Sequence, residues 1–101
     1  MVKTVIKNTY EVNVVFKGNL SEDELEKNIT QIESTIKTSG GAVTKIEDPL
    51  RRRFTHKMKG IKEGFYVNFI FTSTPELPNV LKRNLSISDE VLRYMVIRKE
   101  G

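Results

Sequence analysis

The sequence has no cysteine and no tryptophan, and a single histidine, His56, stands among its 101 residues. Without cysteine the chain forms no disulfide bond and no thiolate metal site. One isolated histidine offers neither a nucleophile–base pair nor a set of metal ligands, and no serine lies in the sequence context of a nucleophile elbow. The sequence therefore predicts a protein that is not an enzyme, with no cofactor, no metal site and no small-molecule substrate.

Long apolar runs are also missing, and nothing in the chain approaches the roughly 20 consecutive apolar residues of a transmembrane helix. The start, "MVKTVIKNTY", alternates too quickly between apolar and polar residues to be a signal peptide, and its lack of arginine makes it a poor transit peptide. The absence of cysteine fits a reducing compartment. We therefore expect a cytoplasmic protein without a membrane partner, folded as one domain over residues 1–101.

What the sequence does contain is an uneven distribution of charge. The net charge is +4, yet residues 51–62, "RRRFTHKMKGIK", hold six of the 17 lysines and arginines and no acid. The rest of the chain holds 11 basic and 13 acidic residues. A local basic segment on a nearly neutral body indicates an anionic partner that is reached by one surface. The alternative is a solvated strand edge, because lysine also protects edges from pairing.

Alternating apolar and polar residues predict four strands. The first is "TYEVNVVFK" from Thr9 to Lys17, the third is "FYVNFIFT" after a glycine-rich turn, "GIKEG", and the last runs from Val91 to Arg98. The second begins near Ala42, is interrupted by Asp48-Pro49, and resumes through "LRRRFTHKMK". Regular alternation divides the resumed strand between two faces, with Arg51, Arg53, Thr55, Lys57 and Lys59 on one and Arg52, Phe54, His56 and Met58 on the other.

Two segments with helical spacing lie between these strands. The first begins with "SEDE", a capping box in which Ser21 is the N-cap and Glu24 lies three residues on. The second follows Thr74 as N-cap, with Pro75 at its first position. A glycine pair ends the first helix, with one glycine in the left-handed conformation. The apolar stripe of the first helix consists of Leu25, Ile29, Ile32 and Ile36.

The resulting order of elements, βαββαβ, is that of a ferredoxin-like α+β sandwich, a four-stranded antiparallel sheet with two helices on one face. The row of sheet residues expected to cover the helices consists of Tyr10, Val12, Val14, Phe16, Phe65, Val67, Phe69 and Phe71. Val15, Tyr66 and Ile70 remain on the other face, which is open for a partner. This architecture serves many functions, so the fold alone does not identify one.

Two short aromatic motifs allow a second interpretation of the phenylalanines. "VFKGNL" and "EGFYVNF" resemble the two motifs of RNA-recognition domains, in which exposed aromatic side chains stack on bases. Phe16, Phe65 and Phe69 are then the stacking residues of a module that binds single-stranded RNA. The alternative is that all three belong to the core.

The chain from Tyr10 to Arg98 also resembles the family of bacterial small-subunit ribosomal protein six. The motifs that resemble it follow in order: "YEVNVVFKGNL", "LRRRFTHKMK", "EGFYVNFIF" and "LKRNLSISDEVLRYMVIRK". The sequence departs from the family by a short extension before Tyr10, and by Thr55–Met58 in place of the usual Ala-Tyr-Pro-Ile run.

The resemblance implies a structural protein of the ribosome without enzymatic activity. It further implies a heterodimer with small-subunit ribosomal protein eighteen, and binding of this pair to the central domain of small-subunit ribosomal RNA. The residues then expected to bind RNA are the basic residues of the second strand and one of the last strand: Arg51, Arg52, Arg53, Lys57, Lys59 and Arg93. A ferredoxin-like interaction module that binds no RNA is a third interpretation.

Overall fold

The computed structural model describes residues 7–99, which form five strands and two helices. The elements are β1 (Asn8–Lys17), α1 (Glu22–Thr38), β2 (Ala42–Ile46), β3 (Leu50–Met58), β4 (Ile61–Ser73), α2 (Leu77–Ser86) and β5 (Val91–Lys99). The strands form one antiparallel sheet in the order β2-β4-β1-β5, and β3 also pairs with β4. The ferredoxin-like sandwich is confirmed. The predicted second strand is divided into β2 and β3 at Asp48-Pro49, where proline offers no N–H to the ladder.

One core fills the space between the helices and one face of the sheet. The sheet contributes Tyr10, Val12, Val14, Phe16, Val67, Phe69 and Phe71, as predicted, and the helices contribute Leu25, Ile32, Ile36, Leu77, Leu81 and Leu85. Phe65 is only partly buried at the edge of this core. Phe16 and Phe69 are both 0% exposed. The interpretation that these two phenylalanines stack on RNA bases is therefore wrong, because helices cover them.

Helix α1 begins and ends as its sequence predicts. The Ser21 hydroxyl accepts a hydrogen bond from the backbone N–H of Glu24 at 3.2 Å, and the Glu24 carboxylate accepts one from the backbone N–H of Ser21 at 2.9 Å. The backbone N–H of Ser21, and after it the Ser21 hydroxyl, lower the pKa of the Glu24 carboxyl, because hydrogen bonds to the carboxylate favour its charged form. Gly40, with a φ of +88°, lies just beyond the end of the helix.

Helix α2 begins later than predicted. Its first residue is Leu77, its N-cap is Glu76, and no side chain caps it. A helix capped by Thr74 would need the backbone N–H of residue 78 to reach the Thr74 carbonyl, and Pro78 has no N–H. The N–H of Leu77 donates to that carbonyl instead, at 3.3 Å. The expected role of Thr74 as N-cap is therefore wrong.

Strands β3 and β4 are joined by the two-residue turn Lys59-Gly60, where φ is 49° and 79°. Two positive φ values are what a type I′ hairpin turn requires, and this turn matches the twist of the strands it joins. The turn predicted over "GIKEG" is too long, because Ile61–Gly64 belongs to β4, a strand of 13 residues.

Candidate nucleic-acid interface

The basic segment folds as a hairpin that continues past the end of β1. The last pair between β1 and β4 is Lys17 with Gly64, so the β4 residues before Gly64 pair with β3 alone. We call residues 53–63 the basic arm. Its charged residues apart from histidine are Arg53, Lys57, Lys59, Lys62 and one acid, Glu63.

The two strands of the basic arm do not pair in regular register. Arg53 lies opposite Glu63 and Met58 lies opposite Ile61, so the four residues Phe54–Lys57 face a single residue of β4. A bulge with three extra residues reverses the face on which the following side chains lie. The predicted alternation is therefore wrong beyond Arg53, because Met58 lies on the same face as Arg53 and not on the opposite one.

Arg51, at the root of the basic arm, is engaged within the protein. Its Nε donates to the Glu63 carboxylate at 2.8 Å. Its guanidinium carbon lies 5.6 Å from the centre of the Phe65 ring, a cation–π distance. The Arg51 guanidinium therefore contacts an acid and an aromatic ring on the side of the sheet where the helices lie.

Arg52 and Arg53 point to opposite sides of the same root. Arg52 lies opposite Gly64, whose side faces away from the helices, and Arg53 lies opposite Glu63 on the other side. Both are exposed. The predicted separation of Arg52 from its two neighbours is thus present at the root, before the bulge.

The tip of the basic arm lies near the start of β5 and the end of α2. Lys59 and Arg93 line one shallow depression together with Ser86 and Leu92. Arg93 itself pairs opposite Val15 in β1. Of the residues predicted to bind RNA, the structure therefore brings Lys59 and Arg93 together, and it places Arg51, Arg52 and Arg53 at the root.

Guanidinium and ammonium groups of this kind form charge-assisted hydrogen bonds with phosphate oxygens. Within residues 7–99, no group of histidine, aspartate and glutamate side chains could hold a metal ion. In the same range, neither helix has the length and the apolar composition needed to cross a membrane. The arrangement can bind an anion.

Phe54 was not assigned a role by sequence reasoning, yet it closes the root of the basic arm on the open face of the sheet. Its Cζ lies 2.6 Å from the position that a Cβ on Gly64 would occupy, and Val15 Cγ1 lies 2.9 Å from that position. The ring meets Tyr66 edge-on, with centroids 6.3 Å apart. Val15, on the same face, is only 3% exposed, although no helix covers it. A glycine inside a strand marks such a close approach, and this was the available signal.

The open face beyond Phe54 is largely apolar. Leu50, Met95 and Ile97 are 50%, 48% and 44% exposed. Tyr66 and Ile70 lie between them on β4 and are partly buried. This face therefore presents apolar and aromatic groups from β3, β4 and β5 to the solvent.

A small polar group occupies the middle of the open face. Asn13 of β1 lies opposite Asn68 of β4, and the Asn68 amide donates to the Glu47 carboxylate at 2.8 Å. The carboxylate fixes the orientation of this amide, because the reversed orientation would place two acceptors together. The side-chain oxygen of Asn68, Oδ1, is buried and has no hydrogen-bond partner among the described residues.

These features define a class before they define a family: a ferredoxin-like sandwich with one open sheet face and a basic hairpin. The crystal structure of 30S ribosomal protein S6 from Thermotoga maritima has this fold, with a TM-score of 0.87 and 22% identity over 93% of this chain and 89% of that one. The solution structure of the C-terminal domain of MgtC from Mycobacterium tuberculosis is a more distant likeness, with a TM-score of 0.59 and 16% identity. At these identities the two likenesses show the fold alone.

Sequence comparison shows the family. Residues 9–98 match the model of the ribosomal protein S6 family. The small ribosomal subunit protein bS6 of Carboxydothermus hydrogenoformans is 37% identical over 91 residues, which are 90% of this chain and 95% of that protein. The protein of the same name from Chlamydia muridarum is 35% identical over 88% of this chain and 80% of its own length. The chain belongs to the ribosomal protein S6 family.

Family membership confirms three expectations. The chain is a structural protein of the small ribosomal subunit, it is cytoplasmic, and it is not an enzyme.

Proposed function

We propose that this chain, as one domain, binds small-subunit ribosomal RNA together with small-subunit ribosomal protein eighteen. The observation on which the proposal rests is the separation of two surfaces with different chemistry. The basic arm and Arg93 offer positive charge, and the open face of the sheet offers apolar and aromatic groups. A protein that joins an RNA to a second protein needs both surfaces.

The basic arm suits the RNA backbone. Its charges sit on a hairpin that extends past the sheet, and its one acid, Glu63, is already paired with Arg51. Phosphate groups can reach the exposed Arg53, Lys57 and Lys59 of the arm, and Arg52 beside it is exposed as well. The density of cations here, with one acid that is already paired, favours the repeated charges of the RNA backbone, so we assign phosphate contacts to these residues.

The open face suits the protein partner. Protein interfaces are enriched in aromatic residues, methionine and arginine, and depleted in other charges at their centre. Tyr66 and Met95 lie on this face, beside the exposed Leu50 and Ile97. The partner would remove these apolar groups from water, which is a favourable contribution to binding.

A binding titration tests the proposed function. A central-domain fragment of small-subunit ribosomal RNA is titrated with this chain alone, with small-subunit ribosomal protein eighteen alone, and with an equimolar mixture. We expect weak binding by each protein and tight binding by the mixture, because a net charge of only +4 gives limited attraction to RNA.

Two outcomes contradict the proposal in different ways. Tight and sequence-specific binding by this chain alone means that no heterodimer is needed. Absence of RNA binding under every condition means that the chain is an interaction module without an RNA ligand.

A further inference from the structure

We propose that Phe54 and Arg51 are positioning residues that hold the basic arm at a fixed angle to the sheet, and that they do not contact RNA themselves. This inference rests on the proposed function, because it concerns how the arm presents its charges. The basic segment then contains residues that bind phosphate and residues that position the phosphate-binding residues.

Three contacts hold the root of the arm, each on a different side. On the open face, the Phe54 ring lies over Gly64, as Val15 does from β1, and it meets Tyr66. The apolar ring thereby leaves water on a face where no helix can cover it. Phe54 is the first residue of the bulge, so the pairing of β3 with β4 becomes irregular just where this contact is made.

On the opposite face, Arg51 joins the two strands of the root. Its 2.8 Å bond to Glu63 spans from β3 to β4, and Phe65 supports the guanidinium from one side. A guanidinium held by a carboxylate and a ring has fewer donors left for phosphate. Glu63 would repel phosphate, and its presence in the arm is therefore explained by a structural role.

The third contact comes from the backbone that follows β1. The N–H of Gly18 donates to the Glu63 carbonyl at 2.9 Å. A Cβ on Gly18 would lie 2.6 Å from that same oxygen, so only glycine fits this approach. The backbone of the arm is thus tied to the sheet beside the two side-chain contacts.

Fixing the root matters because the charges lie beyond it. Lys59 at the tip lines the same depression as Arg93 on β5. Neither strand of the arm, β3 or β4, is a neighbour of β5 in the sheet. A loose arm would present Lys59 and Arg93 to RNA in many relative positions, and binding would have to select one of them. A preorganised surface loses less conformational freedom when it binds its ligand, and the affinity is therefore higher.

The salt dependence of binding separates the two roles. The slope of log K against log salt counts phosphate contacts, whereas preorganisation changes affinity without changing that count. We expect Phe54→Ala, in the complex with the partner protein and the central-domain RNA fragment, to lower affinity about tenfold at every salt concentration with an unchanged slope. Arg53→Ala, the comparison variant, should instead flatten the slope by roughly 0.7–0.9.

A second measurement needs no RNA. Backbone ¹⁵N relaxation of the free protein should show increased mobility for residues 55–59 in Phe54→Ala and ordinary mobility in Arg53→Ala. Phe54→Leu keeps an apolar group over Gly64 and should restore most of the affinity. If Phe54 stacks on a base, Phe54→Leu will lose as much RNA affinity as Phe54→Ala, and the mobility of the arm will not change. This result would refute the positioning role.

A charge swap tests Arg51. Arg51→Glu breaks the ion pair, and Arg51→Glu combined with Glu63→Arg restores it with the same net charge as the natural chain. Recovery of affinity in the double variant supports positioning, whereas loss in both variants shows that Arg51 itself binds phosphate. If the natural chain shows no salt-dependent binding at all, the proposed function fails; if it binds and these variants match it, only the positioning inference fails.

Discussion

Strand β4 runs through two regions of the molecule that obey different rules. Its residues from Phe65 onward lie in the body of the sheet, between β1 and β2 or β3, while Ile61–Glu63 lies in the basic arm and pairs with β3 alone. In the body, the alternate residues of β4 from Val67 onward are fully buried: Val67, Phe69, Phe71 and Ser73. In the arm, a bulge interrupts the alternation. A slip by one residue is costly only where one face is buried, so burial keeps the register in the body and not in the arm.

The largest expected effect belongs to the body. Phe69→Ala should lower the free energy of unfolding by about 3–5 kcal/mol, because it removes a fully buried ring and leaves a cavity. Leu50→Ala, on a side chain that is 50% exposed, is the matched control and should cost far less. Chemical denaturation of both variants beside the natural chain measures the difference. A midpoint for Phe69→Ala close to that of the natural chain would contradict the assignment of Phe69 to the core.

The same contrast explains which parts of the fold the sequence predicts. The rows around Val12 and Phe69 could be assigned because apolar residues at every second position have one stable placement, against the stripe of α1. The capping box at Ser21 could be assigned because its two bonds involve neighbours in sequence. Both predictions depend on strong local patterns or on burial.

The parts that could not be predicted depend on contacts between distant residues. The bulge after Arg53 has no apolar pattern to mark it, and the late start of α2 depends on a single missing N–H, that of Pro78. The ion pair of Arg51 with Glu63 and the proximity of Lys59 to Arg93 require knowledge of the strand register. Charge density alone therefore marked the basic segment as a candidate interface but could not separate Arg51 from its neighbours.

The next largest effect should appear on the open face and leave the body unchanged. Met95→Asp places a charge in the proposed partner interface, and we expect about a tenfold or greater loss of affinity for small-subunit ribosomal protein eighteen, since an unpaired charge would be buried there. Stability should change little, because the side chain is 48% exposed in the free protein. Calorimetric titration measures the affinity, and Thr30→Asp on the exposed side of α1 is the control. Equal affinities for the two variants would show that the partner docks elsewhere.

A smaller effect should come from the helix layer that covers the body. Ser21→Ala removes one of the two capping bonds of α1 and should cost about 1 kcal/mol. The other bond gives a pH dependence, because the pKa of Glu24 is lowered below its ordinary value of 4.5 in the folded protein. Its stabilising contribution is therefore complete above that ordinary value and is lost as the pH falls through the lower, folded value.

Denaturation curves of the natural chain and Glu24→Gln at several pH values check the sign of this effect. The natural chain should be the more stable of the two at neutral pH, and the difference should shrink in acid. A difference that grows as the pH falls would contradict the assignment of Glu24 as a charged cap.

The smallest effect on stability should belong to substitutions in the basic arm, which should instead change the salt dependence of RNA binding. Arg53→Ala combined with Lys57→Ala removes two exposed cations that have no ion-pair partner among the described residues, so the free energy of unfolding should stay within about 0.5 kcal/mol of that of the natural chain. The slope of log K against log salt should fall by roughly 0.7–0.9 for each phosphate contact that is lost. Lys27→Ala with Lys37→Ala on α1 has the same change in net charge and should leave the slope unaltered. If the two double variants flatten the slope equally, RNA senses only the overall charge, and the arm is not a separate binding region.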